Sequence, residues 1–459
     1  MRHFRTSALI AGLCSALAGA VSADHHHESP TREGAAPAGT DPRADSLAPE
    51  ASLPALVAWA LAHNPALRAA EWEAKARHSG PAHVWALPAP EVGVEFYQAP
   101  VGGFPNPMEG QQEIDYRVGQ AFPFPGVIGA RIRVEHEHAG AAEAEWEALR
   151  VQTARDVKAG YYRAWLAARR SALNARHRAW TERLIAIARR QYEEGIGSQA
   201  DILRAQSEAT RLLMDGADLE RESAAALAGL NALLGRDPDA PLRPADSLAA
   251  PADTADYARL LAAAEAHPDV RAKSAEIRMK QAEGDLARRG YWPGFKIMAA
   301  YKDMLAMPPG VHGAELRDYW SVGLSMDLPV AFWSLPAARA ASARSRAELE
   351  RAKADHRSAR DVSRARALAA SARDRALRER LRLAREALVP QTRQAYESAL
   401  AAYQGGREGF SGVLEAARAV LAAEEGAAAD LAALLEGRAD LEAAAGSDPA
   451  AAAPEGTGP

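Results

Sequence analysis

A mostly helical protein with a small β part, built from one unit used twice, is the fold class this 459-residue sequence predicts. Three observations carry it. Landmarks recur at a nearly fixed spacing. Asn64-Pro65 and Pro90 return as His267-Pro268 and Pro293, each 203 residues on, and Val118-Gly119 and Pro125 return as Val322-Gly323 and Pro329 at 204. Tyr192 and Gly195 return as Tyr403 and Gly406 at 211, and Gly235-Arg236-Asp237-Pro238 is mirrored by Gly446-Ser447-Asp448-Pro449 at the same offset. Such self-similarity marks a duplicated structural unit. The second observation is the absence of any proline between Pro125 and Pro238. The third is a set of four short segments that alternate apolar and polar residues.

Taken in order, residues 53–87 read as helical with a break near Asn64-Pro65. Residues 91–98 then alternate, with Val92, Val94 and Phe96 opposing Glu91, Gly93 and Glu95, and residues 113–122 set Ile114, Tyr116, Val118 and Phe122 against Glu113, Asp115, Arg117 and Gly119. A helix over about 127–193 would be about 100 Å long at 1.5 Å per residue, a length that suits a coiled coil or a tunnel. After a turn at Gly195 a second helix carries Leu219, Leu227, Leu230 and Leu234 on one face. The second copy repeats the plan. Phe295, Ile297 and Tyr301 oppose Lys296, Met298 and Lys302, and Trp320, Val322, Leu324, Met326 and Leu328 oppose Ser321, Gly323, Ser325 and Asp327. Its closing helix carries Leu414, Ala417, Leu421, Leu431 and Leu435, and Pro390 predicts a local kink in the long helix before it. Between the Pro125/Pro329 and Tyr192/Tyr403 anchors the second copy is seven residues longer, one heptad, which would keep a helix seam in register.

The four strands have the length and two-faced character of membrane β-strands, although each alone would equally suit a half-buried soluble sheet. Four strands cannot close a barrel, for which about 8 is the practical minimum; three chains would pool twelve. Alanine and leucine supply most of a 48% hydrophobic content while aromatics reach only 6%, which favours long helices packed through small residues. With 55 basic against 60 acidic residues, nothing points to nucleic acid.

The boundaries follow. Residues 1–23 read as a signal peptide, from Arg2 and Arg5 through the apolar run Ala8 to Ala20 to the small residues of Val21-Ser22-Ala23. Residues 24–52 form a His-, Pro- and Ala-rich flexible tail, 53–250 the first repeat, 251–446 the second, and 447–459 a disordered Ala/Gly/Pro tail. The only cysteine, Cys14, lies in the signal, where the bulky Leu13 argues against lipidation. No nucleophile elbow, phosphate loop, paired-cysteine metal site or helical metalloprotease motif occurs, so neither catalysis nor a cofactor is expected.

The stretches Tyr192-Glu-Glu-Gly195-Ile-Gly-Ser-Gln-Ala-Asp201 and Tyr403-Gln-Gly-Gly406-Arg-Glu-Gly-Phe410 resemble the duplicated helix-turn-helix of TolC-type outer-membrane efflux channels. Leu233-Leu234-Gly235-Arg-Asp-Pro238 resembles that family's repeat ending, and Phe122-Pro-Phe-Pro125-Gly126 its strand-to-helix junction, particularly in the heavy-metal (Cus/Czc-type) branch. The resemblance spans about residues 53–446. It implies a homotrimer with a twelve-stranded β-barrel in the outer-membrane lipid of a Gram-negative bacterium and a long periplasmic α-barrel. It further implies a periplasmic adaptor protein coupled to a proton-driven inner-membrane pump of the RND type. By motif position, Gly195, Ile196, Gly197 and Ser198, with Gly406, Arg407, Glu408 and Gly409, are the adaptor-contact turns.

Asp201 and Glu415 are implied at the pore entrance, while Gly412 stands where the family often has an acidic residue. Asp201 could equally cap its helix, and the glycines could be simple turn formers. His25, His26 and His27 are candidate metal ligands in the tail; Met108, Met304, Met307 and His312, near the strand-connecting loops, would suit Cu(I) but are more simply packing. Heavy-metal export is therefore the leading expectation. Export of drugs or other small molecules is the alternative, and a periplasmic coiled-coil adaptor or scaffold is the rival of another class.

Overall fold

The computed structural model describes residues 47–97, 113–251, 257–289, 292–304, 317–327 and 334–446. The signal segment, His25 to His27, Met108, Met307, His312 and the C-terminal tail all lie outside these residues. Helices α1 (Leu53–His63), α2 (Pro65–His78) and α3 (Gly80–Val84) come first. Strands β1 (Glu91–Tyr97) and β2 (Glu113–Phe122) follow, then the long helix α4 (Val127–Glu193) and α5 (Gln199–Leu233). The second copy runs through α6 (Tyr257–Ala264), α7 (Pro268–Arg289), β3 (Gly294–Met304) and β4 (Tyr319–Asp327). It ends in α8 (Ser334–Leu383), a π-turn at Ala384–Leu388, α9 (Val389–Gln404) and α10 (Phe410–Ala444).

The break at Asn64-Pro65 is a helix cap. Asn64 accepts at its side-chain oxygen from the backbone N–H of Ala66 (2.9 Å) and Leu67 (3.1 Å), and Pro65 occupies the first helical position, where its missing N–H costs nothing. His267 does the same in the second copy, with Nδ1 accepting from the Asp269 N–H at 3.1 Å. Burial holds His267 below the usual histidine range, which keeps a neutral ring nitrogen available as the acceptor.

Each repeat closes on its own opening. Gly235 and Gly446 end α5 and α10 with φ of 67° and 61°, a left-handed conformation natural to glycine. A Cβ on Gly235 would meet the His63 carbonyl oxygen at 2.8 Å, and one on Gly446 would meet Pro268 Cδ at 2.7 Å. Asn64 Nδ2 donates to the Leu233 carbonyl across the first of these joints, at 2.8 Å. The opening and closing landmarks of each copy are therefore one contact.

The helical core is a seam of small residues. Ala154, Ala159, Ala164, Ala167 and Ala188 of α4 are buried, as are Ala423, Ala432 and Ala439 of α10. α4 packs against α5, α7 and α10, joining the two copies. On the expected faces Leu230 and Leu234, and Leu414, Leu431 and Leu435, are buried. The described helical run 334–404 is four residues longer than α4. The π-turn lies just ahead of Pro390, whose ring would clash with the carbonyl four residues back, at Glu386.

The strands form one antiparallel sheet in the order β1-β2-β3-β4, and their register makes the alternation coherent. Val92 pairs with Val118, Val118 with Ala299 and Ala299 with Val322; Val94, Tyr116, Tyr301 and Trp320 form the next row. Residues in register share a face, so these two rows make an apolar band on one face across all four strands. The chain's own helices do not cover it: Val92 is 77% exposed, Trp320 76% and Leu324 73%. The opposite face is laced with ion pairs, with Arg117 bonded to Asp115 (2.9 Å) and Glu95, Lys302 to Glu113 (2.6 Å), and Lys296 to Glu91. No described helix is long and apolar enough to cross a membrane, which says nothing against a β-barrel.

Candidate functional site

The two turns at the far end of the long helices are the same structure built twice. In the first, Gly195 N–H donates to the Tyr192 carbonyl (3.0 Å) and Ile196 N–H to that of Gln191 (2.9 Å). In the second, Gly406 N–H donates to Tyr403 (3.0 Å) and Arg407 N–H to Ala402 (2.9 Å). Both patterns need a left-handed residue at the bend, and Gly195 (φ 75°) and Gly406 (φ 67°) supply it. The turns also touch, because a Cβ on Gly406 would lie 3.6 Å from Ile196 Cγ2. Ile196 is itself largely exposed, an apolar side chain displayed on the tip.

Beneath the turns a mixed cluster holds both hairpins. Leu184, Ala188 and Ala205 of the first copy bury against Tyr403, Phe410, Val413 and Leu414 of the second. Trp180 stacks on Tyr396 at 5.7 Å between ring centres, tilted by 7°, and Tyr403 meets Phe410 edge-on at 5.3 Å. Aromatic contacts of this kind contribute beyond their buried area, so the tips are rigidly presented.

Ser198 and Gly409 stand at the N-caps of α5 and α10. Asp201 is buried, and its carboxylate turns back to accept from the Ser198 N–H (3.2 Å) and lies 3.3 Å from Arg204. A helix-capping duty thus accounts for Asp201, whereas Glu415 is an exposed carboxylate on the first turns of α10. Gly412 occupies the position matching Asp201, and the space its side chain would fill is taken by Glu408, whose Oε1 would lie 2.7 Å from a Cβ there. Negative charge at this helix start is therefore kept, supplied from outside the helix by Glu408, where it complements the positive end of the dipole. The sequence pattern leaves Glu415 as the carboxylate kept at this helix start.

Further along the rods a buried charge cluster, not evident from spacing, joins the copies. Glu424 of α10 has a side chain only 6% exposed and pairs with Arg176 and His177 of α4 and Arg393 of α9. Burial alone would raise its pKa. Hydrogen bonds from His177 and Arg393 and the charge of Arg176 outweigh that and bring it to about 2 from 4.5. A depressed carboxylate pKa adds stability that is full above the unfolded value and lost as pH falls through the folded one. Acidification from pH 4.5 to 2 is thus expected to cost about 3 kcal/mol at this residue. Glu424→Gln should melt less stably at pH 7 and lose less than the wild type across that window. Parallel melting curves for the two proteins would refute the role.

Among the described residues no cluster of three or more His, Cys, Asp or Glu is arranged to hold a metal. The candidate ligands His25, His26 and His27 lie outside them.

Set beside known proteins, the chain matches the family model described as outer membrane efflux protein over residues 56–236 and 260–447, once per repeat. It is 29% identical over 231 residues to protein CyaE of Bordetella pertussis, a stretch covering 49% of this chain and 48% of that protein. The chain thus matches about half the length of this curated relative. Among solved structures it superposes on the outer-membrane channel OprN with a TM-score of 0.71 and 21% identity, covering 87% of this chain and 90% of that one. On CusC the TM-score is 0.71 at 17% identity, covering 86% and 92%. On the outer membrane protein VceC of Vibrio cholerae it is 0.69 at 18% identity, covering 86% and 96%. The structures establish the fold, and the match over both repeats displaces the adaptor or scaffold reading: the chain belongs to the outer membrane efflux protein family, a family of channels of efflux systems rather than of enzymes.

Proposed function

We propose that this chain is the outer-membrane channel of a tripartite efflux system, a passive exit duct made by three copies. The sheet carries the reading. Its apolar residues are exposed on β1, β3 and β4, and its polar face carries ion pairs, the arrangement of a barrel wall between lipid and water. The outer edges of β1 and β4 pair with no further strand among the described residues. Pairing β4 of one copy with β1 of the next would satisfy every edge and give twelve strands, enough to close. The long helices would then continue the duct through the periplasm as an α-barrel.

The paired tips support an adaptor dock at Gly195 to Ser198 and Gly406 to Gly409, where glycines permit close backbone approach. Glu415, in three copies, would place a carboxylate ring near the periplasmic entrance, with Asp201 adding its charge from the cap; such rings favour cations. Driving energy would come from a proton-driven inner-membrane pump.

Heavy-metal cations such as copper, silver, zinc, cobalt or nickel are the proposed cargo. The Phe122-Pro-Phe-Pro125 junction and the histidine tail support this. Cleavage after Ala23 would leave Asp24-His25-His26 at the amino terminus, where a free amine and a histidine at the third position suit square-planar Cu(II) or Ni(II). Deleting the gene should sensitise cells to these metals more than to hydrophobic drugs. Removing residues 25–27 alone should change resistance little, because a wide exit duct leaves selection to the pump. A deletion strain sensitive to drugs and indifferent to every metal would overturn the cargo assignment and move the protein to drug export.

A further inference from the structure

A cleft of about 280 Å³ opens where α4, the π-turn and α10 meet, at the joint between the two repeats. Its polar lining is mostly cationic: Arg169 and Arg176 from α4, Arg385 from the π-turn and Arg393 from α9, against Glu424 and Asp246. Glu424 is committed to Arg176 and Arg393. Among the described residues Arg169 and Arg385 engage no hydrogen bond or ion pair, so four guanidinium groups face two carboxylates with a surplus of positive charge.

The hydrogen-bond count points the same way. Trp165, 4% exposed, lines the cleft with its indole N–H buried and without an acceptor, and the Nε–H of Arg176 is likewise buried and unmatched. Both groups are donors only. Buried donors without acceptors are rare in folded proteins, and a full complement of nearby guanidinium groups cannot satisfy them. An acceptor-rich ligand would. The π-turn adds to this, since the extra residue per turn resets the direction of Arg385 relative to a regular helix, and such bulges recur at functional sites.

We propose that this cleft binds a small oxyanion of phosphate or sulfate size. Its oxygens would accept from Arg169 and Arg385, with the buried donors of Trp165 and Arg176 on the inner side. The planar fork of each arginine suits such oxygens and gives strong charge-assisted bonds. Because Arg169 belongs to the first repeat and Arg385 to the second, the bound anion would clamp the repeats at the π-turn of the second rod.

The test is calorimetric titration of the full-length, detergent-solubilised protein with inorganic phosphate at constant ionic strength, with chloride as the counter-titrant. Saturable binding is expected in the wild type, and at least tenfold weaker binding in R169Q/R385Q. Neither arginine makes an ion pair, so this variant should melt in chloride like the wild type. Trp165→Phe keeps an apolar ring and removes one donor, and is expected to weaken binding several-fold. Arg221→Gln, an exposed change outside the cleft, should leave it unaltered. An absence of saturable binding in the wild type, or equal affinity in R169Q/R385Q, would overturn the proposal. So would dissociation of the assembly in R169Q/R385Q without any phosphate effect, which would assign the cleft to a neighbouring copy's carboxylate.

Discussion

Arginine at Val94 or Leu324 is expected to abolish assembly in the outer membrane, whereas arginine at Ser325 should be tolerated much better. Val94 sits in the row with Tyr116, Tyr301 and Trp320, and Leu324 pairs with Ile297, all on the exposed apolar face. An arginine on a barrel's lipid face costs about 2–4 kcal/mol near mid-membrane. In a symmetric trimer that cost is incurred three times, enough to rival the whole stability of an ordinary domain. Ser325 points to the other face, in register with Lys296. An arginine there would meet water and a like charge, a much smaller penalty. Quantifying folded protein in outer-membrane fractions distinguishes the faces. Equal tolerance at the three positions would refute the assignment of which side meets lipid.

The second large effect is expected at the tips. Gly195→Trp with Gly406→Trp should eliminate efflux while leaving the assembly intact. Apart from its own chain neighbours, no atom lies within 4 Å of where a Cβ on Gly195 would sit, so the bulk projects outward, into the surface an adaptor would approach. The left-handed φ makes any side chain costly by about 1–2 kcal/mol per turn. The buried cluster of Leu184, Tyr403 and Phe410 below can absorb that. Alanine at both positions carries the same strain without the bulk and should retain substantial efflux, which separates blocked docking from a deformed turn. Unchanged resistance in cells carrying both tryptophans would remove the tips from the docking interface.

Much of this architecture was legible because its signals are periodic and long. The proline-free stretch after Pro125 and the turn at Gly195 placed a helix over about 127–193, and α4 runs Val127–Glu193, since helix interiors reject proline. The strands were legible from period-two alternation, and their register followed once Val92, Val118 and Val322 fell in one row. The contact between Asn64-Pro65 and Gly235 escaped notice because it joins points 170 residues apart, and a repeated landmark tells position without telling its partner. The Glu424 cluster was hidden for a similar reason. Arginines and glutamates spread over α4, α9 and α10 look like a solvated face until packing gathers three of them, Arg176, Arg393 and Glu424, around His177. Glu408 standing in for a residue at position 412 is a swap of side chain and helix position, and linear motif matching registers only the loss.

The central claim is that four strands per chain are a third of a closed barrel. Mass measurement of the protein extracted in mild detergent, by native mass spectrometry or by light scattering corrected for bound detergent, tests it most directly. Three chains, each of 48.9 kDa or less by the mass of any signal segment removed, are expected, and assembly should depend on detergent or lipid. A stable monomer, soluble without detergent, would contradict the barrel and the channel proposed from it.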